Sequence, residues 1–186
     1  MRFEDIERGQ HFSNLLHGFA SAGVSQQYED LYLLFGDVIA KRLEQGIEFN
    51  PQSLSNIAWA YGHAGVAHTE LFDALAREIV PRVSELKEQH FSNVMLGCAK
   101  TGYRNEELLE AIAREATSRV STFKEQEISN TIWSYATLGY KHDALLEAIA
   151  LEATSRIADF NEQNISNTIW SYATLGYKHD ALLEAI

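Results

Sequence analysis

A fixed internal period constrains this chain more than any other feature. The stretch QEISNTIWSYATLGY at residues 126–140 returns almost letter for letter at residues 163–177. Looser copies precede it around Ser13-Asn14, Ser55-Asn56 and Ser92-Asn93. Each copy carries a Gln (Gln10, Gln52, Gln89, Gln126, Gln163), the Ser-Asn pair, and a Gly nine residues after the Asn (Gly23, Gly65, Gly102, Gly139, Gly176). From Asn56 onward the copies are 37 residues apart, and the first gap is 42. A period of this length predicts a solenoid: one unit cannot bury its own apolar face, so stacked neighbours make a continuous core.

Each unit reads as two helices. Asn50 is a natural N-cap and Pro51 suits the first helical turn, where its missing N–H is not needed. Helix A then runs about four turns and stops at Gly65, a residue that takes a left-handed C′ conformation cheaply. Thr69, Asp143 and Asp180 are candidate N-caps for helix B. In the fourth unit helix B spans about residues 144–158, with Leu145, Leu146, Ile149, Ala153 and Ile157 as its apolar stripe. No segment alternates as a strand does. The expected fold is therefore all-α: a single array over residues 1–186, wound as a right-handed solenoid of 37-residue hairpins. Its units are about 8–48, 49–85, 86–122, 123–159 and 160–186, with extra residues of the first unit, near 25–30 and 44–48, in loops. The last unit stops midway through helix B, so the array is expected to continue in a longer protein.

Five units in one chain can be compared with each other. An Asn in mid-helix is a poor helix former, so five of them need a reason. Two explanations stand: a ladder of amides linking units, or contact with a ligand along the helix A surface, through Asn56, Asn93, Asn130 and Asn167. Around the Asn some positions vary. Three residues earlier are His11, Ser53, His90, Glu127 and Asn164; one later are Leu15, Ile57, Val94, Thr131 and Thr168; seven later are Ser21, His63, Lys100, Thr137 and Thr174. Offsets of three, four and seven share one helix face. A strip of unit-specific side chains suits a modular reader of a linear polymer, though solvent-facing drift would give the same pattern. Trp59, Trp133 and Trp170 read as core packing, with base stacking as the alternative. Arg82, Arg119 and Arg156 recur late in helix B. They either complement the helix dipole or meet a phosphate backbone.

Composition limits the partners. The net charge is −11, which counts against nucleic acid unless the acids sit on the outer face of helix B and leave the inner face neutral. Cys98, the single cysteine, excludes an internal disulfide and reads as a small buried filler. No apolar run is long enough to cross a membrane. The charged start at residues 1–8 resembles neither a signal nor a transit peptide, which suggests an intracellular chain or a missing N-terminus. No phosphate loop, dinucleotide glycine cluster or paired-His motif is present. No catalytic residue, cofactor, metal or small-molecule substrate is expected, and the chain is not expected to be an enzyme.

The units are not tetratricopeptide repeats, because Leu138-Gly139 follows Trp133 by five and six residues and the Gly ends the helix. The pattern Phe49-Asn50-Pro51-Gln52-Ser53-Leu54-Ser55-Asn56-Ile57-Ala58-Trp59, with its kin ending Leu138-Gly139 and Leu175-Gly176, resembles the octotricopeptide repeat and its 37-residue relative, the heptatricopeptide repeat. The resemblance covers nearly the whole chain. It implies an α-solenoid that binds RNA in chloroplasts or mitochondria and controls its stability, processing or translation, often alongside a RAP domain. Carried onto this chain, the expectation is single-stranded RNA along the A helices. The Asn series would position bases or backbone. His90, Lys100, Glu127, Thr137, Asn164 and Thr174 would select bases, and the Arg series would take phosphates. Binding would then weaken steeply with salt and with Arg119→Ala. The alternative partner is a protein or peptide gripped in the same groove.

Overall fold

The computed structural model describes residues 9–23 and 28–186, and it is all-α, with no strand among the described residues. The charged start at 1–8 and residues 25–27 of the first insertion lie outside them. Among the described residues, ten α-helices alternate between two roles. The A helices are α1 (Gly9–Ser21), α3 (Pro51–Ala64), α5 (Glu88–Thr101), α7 (Glu125–Thr137) and α9 (Glu162–Thr174). The B helices are α2 (Glu29–Glu44), α4 (Thr69–Ile79), α6 (Glu106–Arg119), α8 (Asp143–Ser155) and α10 (Asp180–Ala185). Glu29 and Asp30, expected in a loop, form the first turn of α2. No helix among the described residues is long and apolar enough to cross a membrane.

Each A helix packs on the next A helix, and α2–α4, α6–α8 and α8–α10 pair in the B row. Between α4 and α6 the contact runs instead through the 3-10 helix Val80–Glu85 that follows α4. The core lies between the rows. Ile128, Ile132, Tyr135, Leu145, Leu146 and Ile149 are all buried in the fourth unit, as are their counterparts Leu54, Ala58, Tyr61 and Phe72 in the second.

The repeat dictates how each hairpin turns. Asn50 accepts from the Ser53 N–H at 2.7 Å and caps α3, with Pro51 in the first turn. Gly139 ends its helix at φ +63°, which frees the Tyr140 N–H to bond the Tyr135 carbonyl at 3.0 Å. The caps of the B helices differ from the expectation by one residue. Thr69, Asp143 and Asp180 are the first helical residues, and His68, His142 and His179 are the N-caps. Each imidazole Nδ1 accepts the N–H three residues on, at 3.1 to 3.3 Å. An imidazole is an uncommon cap, which is why the adjacent Thr or Asp looked the better choice. In the third unit Asn105 takes the same place and accepts from Leu108 N–H at 2.9 Å.

Buried phenols join units. Tyr61 donates to the Tyr32 carbonyl at 2.6 Å, Tyr135 to the Leu109 carbonyl at 2.6 Å, and Tyr172 to the Leu146 carbonyl at 2.5 Å. Each bond runs from an A helix to the preceding unit's B helix. Burial pushes these phenols well above their ordinary pKa and keeps them donors. The third unit has Cys98 at this position, 1 % exposed, its thiol pushed up by burial to about 12. That is the inert filler expected of it. There α3 and α5 approach backbone to backbone: a Cβ on Gly97 would overlap the Ala58 carbonyl.

The position after the Asn, expected on the outer strip, is core in every unit but the first, where Leu15 is exposed. Ile57, Val94, Thr131 and Thr168 are at most 1 % exposed. Thr168 satisfies its hydroxyl on the Asn164 carbonyl at 2.8 Å, but the Thr131 hydroxyl has no hydrogen-bond partner. A buried, unpaired hydroxyl costs on the order of 1–3 kcal/mol. Thr131→Val, the shape already used at Val94, should raise the unfolding free energy by about 1 kcal/mol in urea titration. Unchanged or lowered stability would contradict this packing.

Candidate functional site

The A helices open a continuous polar groove. One recess of about 450 Å³ is lined by Asn14, His17, Gly18, Gln52, Asn56, Gln89 and His90. The next, of about 350 Å³, shares His17, Asn56 and Gln89 and adds Trp59, Ser92, Asn93, Leu96, Lys124, Gln126, Glu127 and Asn130. Amides dominate the lining, and Lys124 and Glu127 cancel in charge. The acidic surplus sits elsewhere, with exposed acids in the first turn of every B helix: Glu29, Glu70, Glu106, Asp143 and Asp180. The two recesses are thus close to neutral although the chain as a whole is acidic.

The Asn series occupies the groove and also links units. Asn93 Nδ2 donates to Asn56 Oδ1, and Asn130 Nδ2 to Ser92 Oγ, both at 3.5 Å. Asn167 Oδ1 accepts from Gln163 Nε2 at 2.9 Å. Bonds of 3.5 Å are at the long limit, and each amide has two donors and a carbonyl, so half-buried Asn56, Asn93 and Asn130 keep capacity for a ligand.

The tryptophans sit at the border of core and surface: Trp59 packs against the core and also lines the second recess. Trp59 and Trp133 are half-buried and Trp170 is 46 % exposed. Trp59 stacks with His17 and with His63, each at 4.8 Å between centroids, and Trp133 lies 6.4 Å from Trp170. The helical period did not separate this position from the core because it borders both.

Three residues before the Asn, variation follows capping. Where the N-cap is Lys87 or Lys124, which cannot accept, the side chain of His90 or Glu127 accepts the cap's own N–H, at 3.2 and 2.8 Å. Where the N-cap is Asn50 or Asn161, the cap accepts from the backbone of Ser53 or Asn164, and these two are buried. Asn164, expected to select a base, is 7 % exposed and accepts from Ser129 Oγ at 3.3 Å. His90 and Glu127 still line the groove. Lys100, Thr137 and Thr174 are exposed on the same helices, with the Thr137 hydroxyl bonded to the Trp133 carbonyl at 2.8 Å.

The Arg series does not line the groove. Each guanidinium ties the end of helix B, or the segment just after it, to the chain entering helix A of its own unit: Arg82 donates to the Phe49 carbonyl at 3.0 Å, Arg119 to Leu86 at 2.9 Å, and Arg156 to Phe123 at 2.7 Å. Carboxylates complete each tie. Arg82 meets Glu85 at 3.0 Å, Arg119 meets Glu88 at 2.7 Å, and Arg156 meets Glu125 at 3.2 Å. These arginines act as intra-unit staples, each with its guanidinium held by a backbone carbonyl and a carboxylate. Desolvation alone would raise the Glu88 pKa, but hydrogen bonds from Arg119, its own backbone and Thr122 outweigh it and hold Glu88 at about 2.

The depressed pKa fixes the sign of a pH effect. The stabilisation from ionised Glu88 is fully present above its ordinary value of 4.5 and is lost as pH falls towards about 2. Denaturant titrations across that window should show wild-type stability falling more steeply than that of Glu88→Gln. Parallel pH profiles would mean that the Arg119 staple contributes nothing.

The model of the family described as RNA-editing substrate-binding complex 6 protein matches residues 8–186 of this chain. No curated protein matches it.

Proposed function

Because the chain belongs to the RNA-editing substrate-binding complex 6 protein family, we propose that it binds single-stranded RNA along the groove of its A helices. The observation that carries this reading is the groove's lining, with amides in register, the half-buried indole of Trp59 and almost no net charge, together with Trp133 and Trp170 partly exposed at the same position of α7 and α9. Bases stack on indole faces whatever their identity, and amides pair with base edges by donor and acceptor alike. Phosphates have few cations to meet. Lys100 and Lys124 are the two lysines of the surface strip on α5 and at the entry to α7.

On this reading the two rows are a right-handed solenoid whose units run about 8–48, 49–85, 86–122, 123–159 and 160–186, akin to octotricopeptide arrays. Asn56, Asn93, Asn130 and Asn167 hold bases, and His90, Lys100, Glu127, Thr137 and Thr174 tune the choice. Asn164 and the arginines support the frame instead. The chain would contribute substrate binding to an RNA-editing assembly rather than chemistry. Of the two organelles implied by the octotricopeptide resemblance, this reading takes the mitochondrion, where RNA-editing complexes of this kind reside.

A neutral groove predicts a shallow salt response, unlike the steep one that arginine–phosphate contacts would give. With two lysines engaged, log K should fall with log salt at a slope no steeper than about −1.4. Fluorescence anisotropy with labelled single-stranded RNA should show that slope, and about tenfold weaker binding for Trp133→Ala. A steep slope with full-strength Trp133→Ala binding would overturn the stacking account. No RNA binding at low salt, with salt-insensitive uptake of an extended peptide, would replace it with a peptide scaffold.

A further inference from the structure

The turn that opens the B helix carries a cation in the third, fourth and fifth units (Arg104, Lys141, Lys178), and in the third and fourth that cation covers the next unit's tyrosine. Arg104 lies 5.8 Å from the Tyr140 ring centroid, and Lys141 lies 5.5 Å from that of Tyr177. Arg104 also donates to the Leu138 carbonyl at 3.1 Å. At the junction between the second and third units the corresponding residue is Ala67. Its methyl group cannot cover Tyr103, and a cleft of about 390 Å³ stands there, lined among others by Ala67, Asp73, Thr101, Tyr103 and Arg104, whose guanidinium is engaged by the Leu138 carbonyl and Glu106.

The carboxylate at the edge of this cleft lacks the neighbours its counterparts have. Glu110 receives the Tyr140 hydroxyl at 3.0 Å, the Arg114 guanidinium at 2.6 Å, and lies 3.7 Å from His142. Glu147 has Tyr177 and His179. Half-buried Asp73 accepts the Tyr103 hydroxyl at 2.6 Å. The residue in the place of His142 is Asn105, which bonds Tyr103 instead, and the residue in the place of Arg114 is Arg77, which pairs with Glu44 at 3.3 Å. Ala67 and Thr69 also replace together the Arg104–Glu106 and Lys141–Asp143 pairs of the later turns. One junction therefore has a space, an aromatic face and a carboxylate where others have a built-in cation.

We propose that this cleft is a binding site for an arginine side chain presented by a basic peptide segment of a partner protein. Three groups fit a guanidinium there: the Tyr103 ring for cation–π contact, the Asp73 carboxylate for a charge-assisted bond, and the Thr101 carbonyl, which occupies the place of the Leu138 carbonyl that Arg104 uses. The planar fork serves carbonyl and carboxylate together, as a single ammonium does not. The site is separate from the A-helix groove, because none of its lining residues lines the two groove recesses.

The test is an amide NMR titration of the full chain with a capped Gly-Arg-Gly tripeptide, with the Gly-citrulline-Gly and Gly-Lys-Gly analogues in parallel. The arginine peptide should shift the amides of Ala67, Thr69, Thr101 and Tyr103, with the citrulline peptide at least about tenfold weaker and the lysine peptide weaker too. Ala67→Arg should fill the cleft from within, abolish the shifts and leave the fold intact by circular dichroism. Asp73→Asn should weaken binding about tenfold. Equal shifts from the citrulline peptide, full binding by Ala67→Arg, or no shift with any peptide would each overturn the proposal. Stronger binding of the lysine peptide would overturn the choice of guanidinium.

Discussion

The Tyr135 hydroxyl crosses a unit boundary to the Leu109 carbonyl, and the geometry of the molecule depends on bonds of this kind. A phenol buried in this position without a partner would cost on the order of 1–3 kcal/mol, so the hydroxyl specifies the spacing between successive units as well as adding to their stability. Tyr61 and Tyr172 repeat the bond. Within a unit, the arginine staples fix helix B against the entry to helix A. Together the two sets hold the A helices side by side, in a register that brings Asn56, Asn93 and Asn130 onto one surface. The groove follows from that register.

The junction between the second and third units departs from the rule. Cys98 cannot make the phenol's bond, and Gly62 and Gly97 let α3 and α5 touch through their backbones instead: a Cβ on Gly62 would lie 2.7 Å from Gly97 Cα. In the B row α4 is short, followed by the 3-10 helix at Pro81, and it reaches α6 through that segment. The A row is drawn together where the B row is bridged less directly. The cleft beside Ala67 and Tyr103 lies at this junction. Small residues at 67, where the later units have a cation, and at 98, where the second, fourth and fifth units have a tyrosine, with a glycine at 97, where those units have Ala or Ser, thus accompany both the close crossing and the open site.

Much of this was legible in the sequence, because a repeated sequence displays its own constraints. The period gave the alternation of helices, Asn50 and Pro51 marked the start of α3, and the recurring Gly marked the end of each A helix. Side-chain roles were harder to read. The variation among His90, Glu127 and Asn164 resembled a recognition code, yet it follows the identity of the cap three residues before. A comparison of positions 87, 124 and 161 with 90, 127 and 164 carried that signal. Asp143 and Asp180 looked better caps than His142 and His179 because imidazole caps are uncommon, and the arginine staples were hidden because their carbonyl partners lie 33 residues away. The tryptophans sit at the boundary between core and groove, a distinction that periodicity alone does not resolve.

The central claim is that RNA lies on the A helices and leaves the acidic B row bare. Photo-crosslinking of a 4-thiouridine RNA to the full chain, with the joined peptides mapped by mass spectrometry, tests it most directly. The account predicts crosslinks on α3, α5 and α7, concentrated at the turns of Trp59, Leu96 and Trp133. Crosslinks confined to the B helices, or spread evenly over both rows, would contradict it.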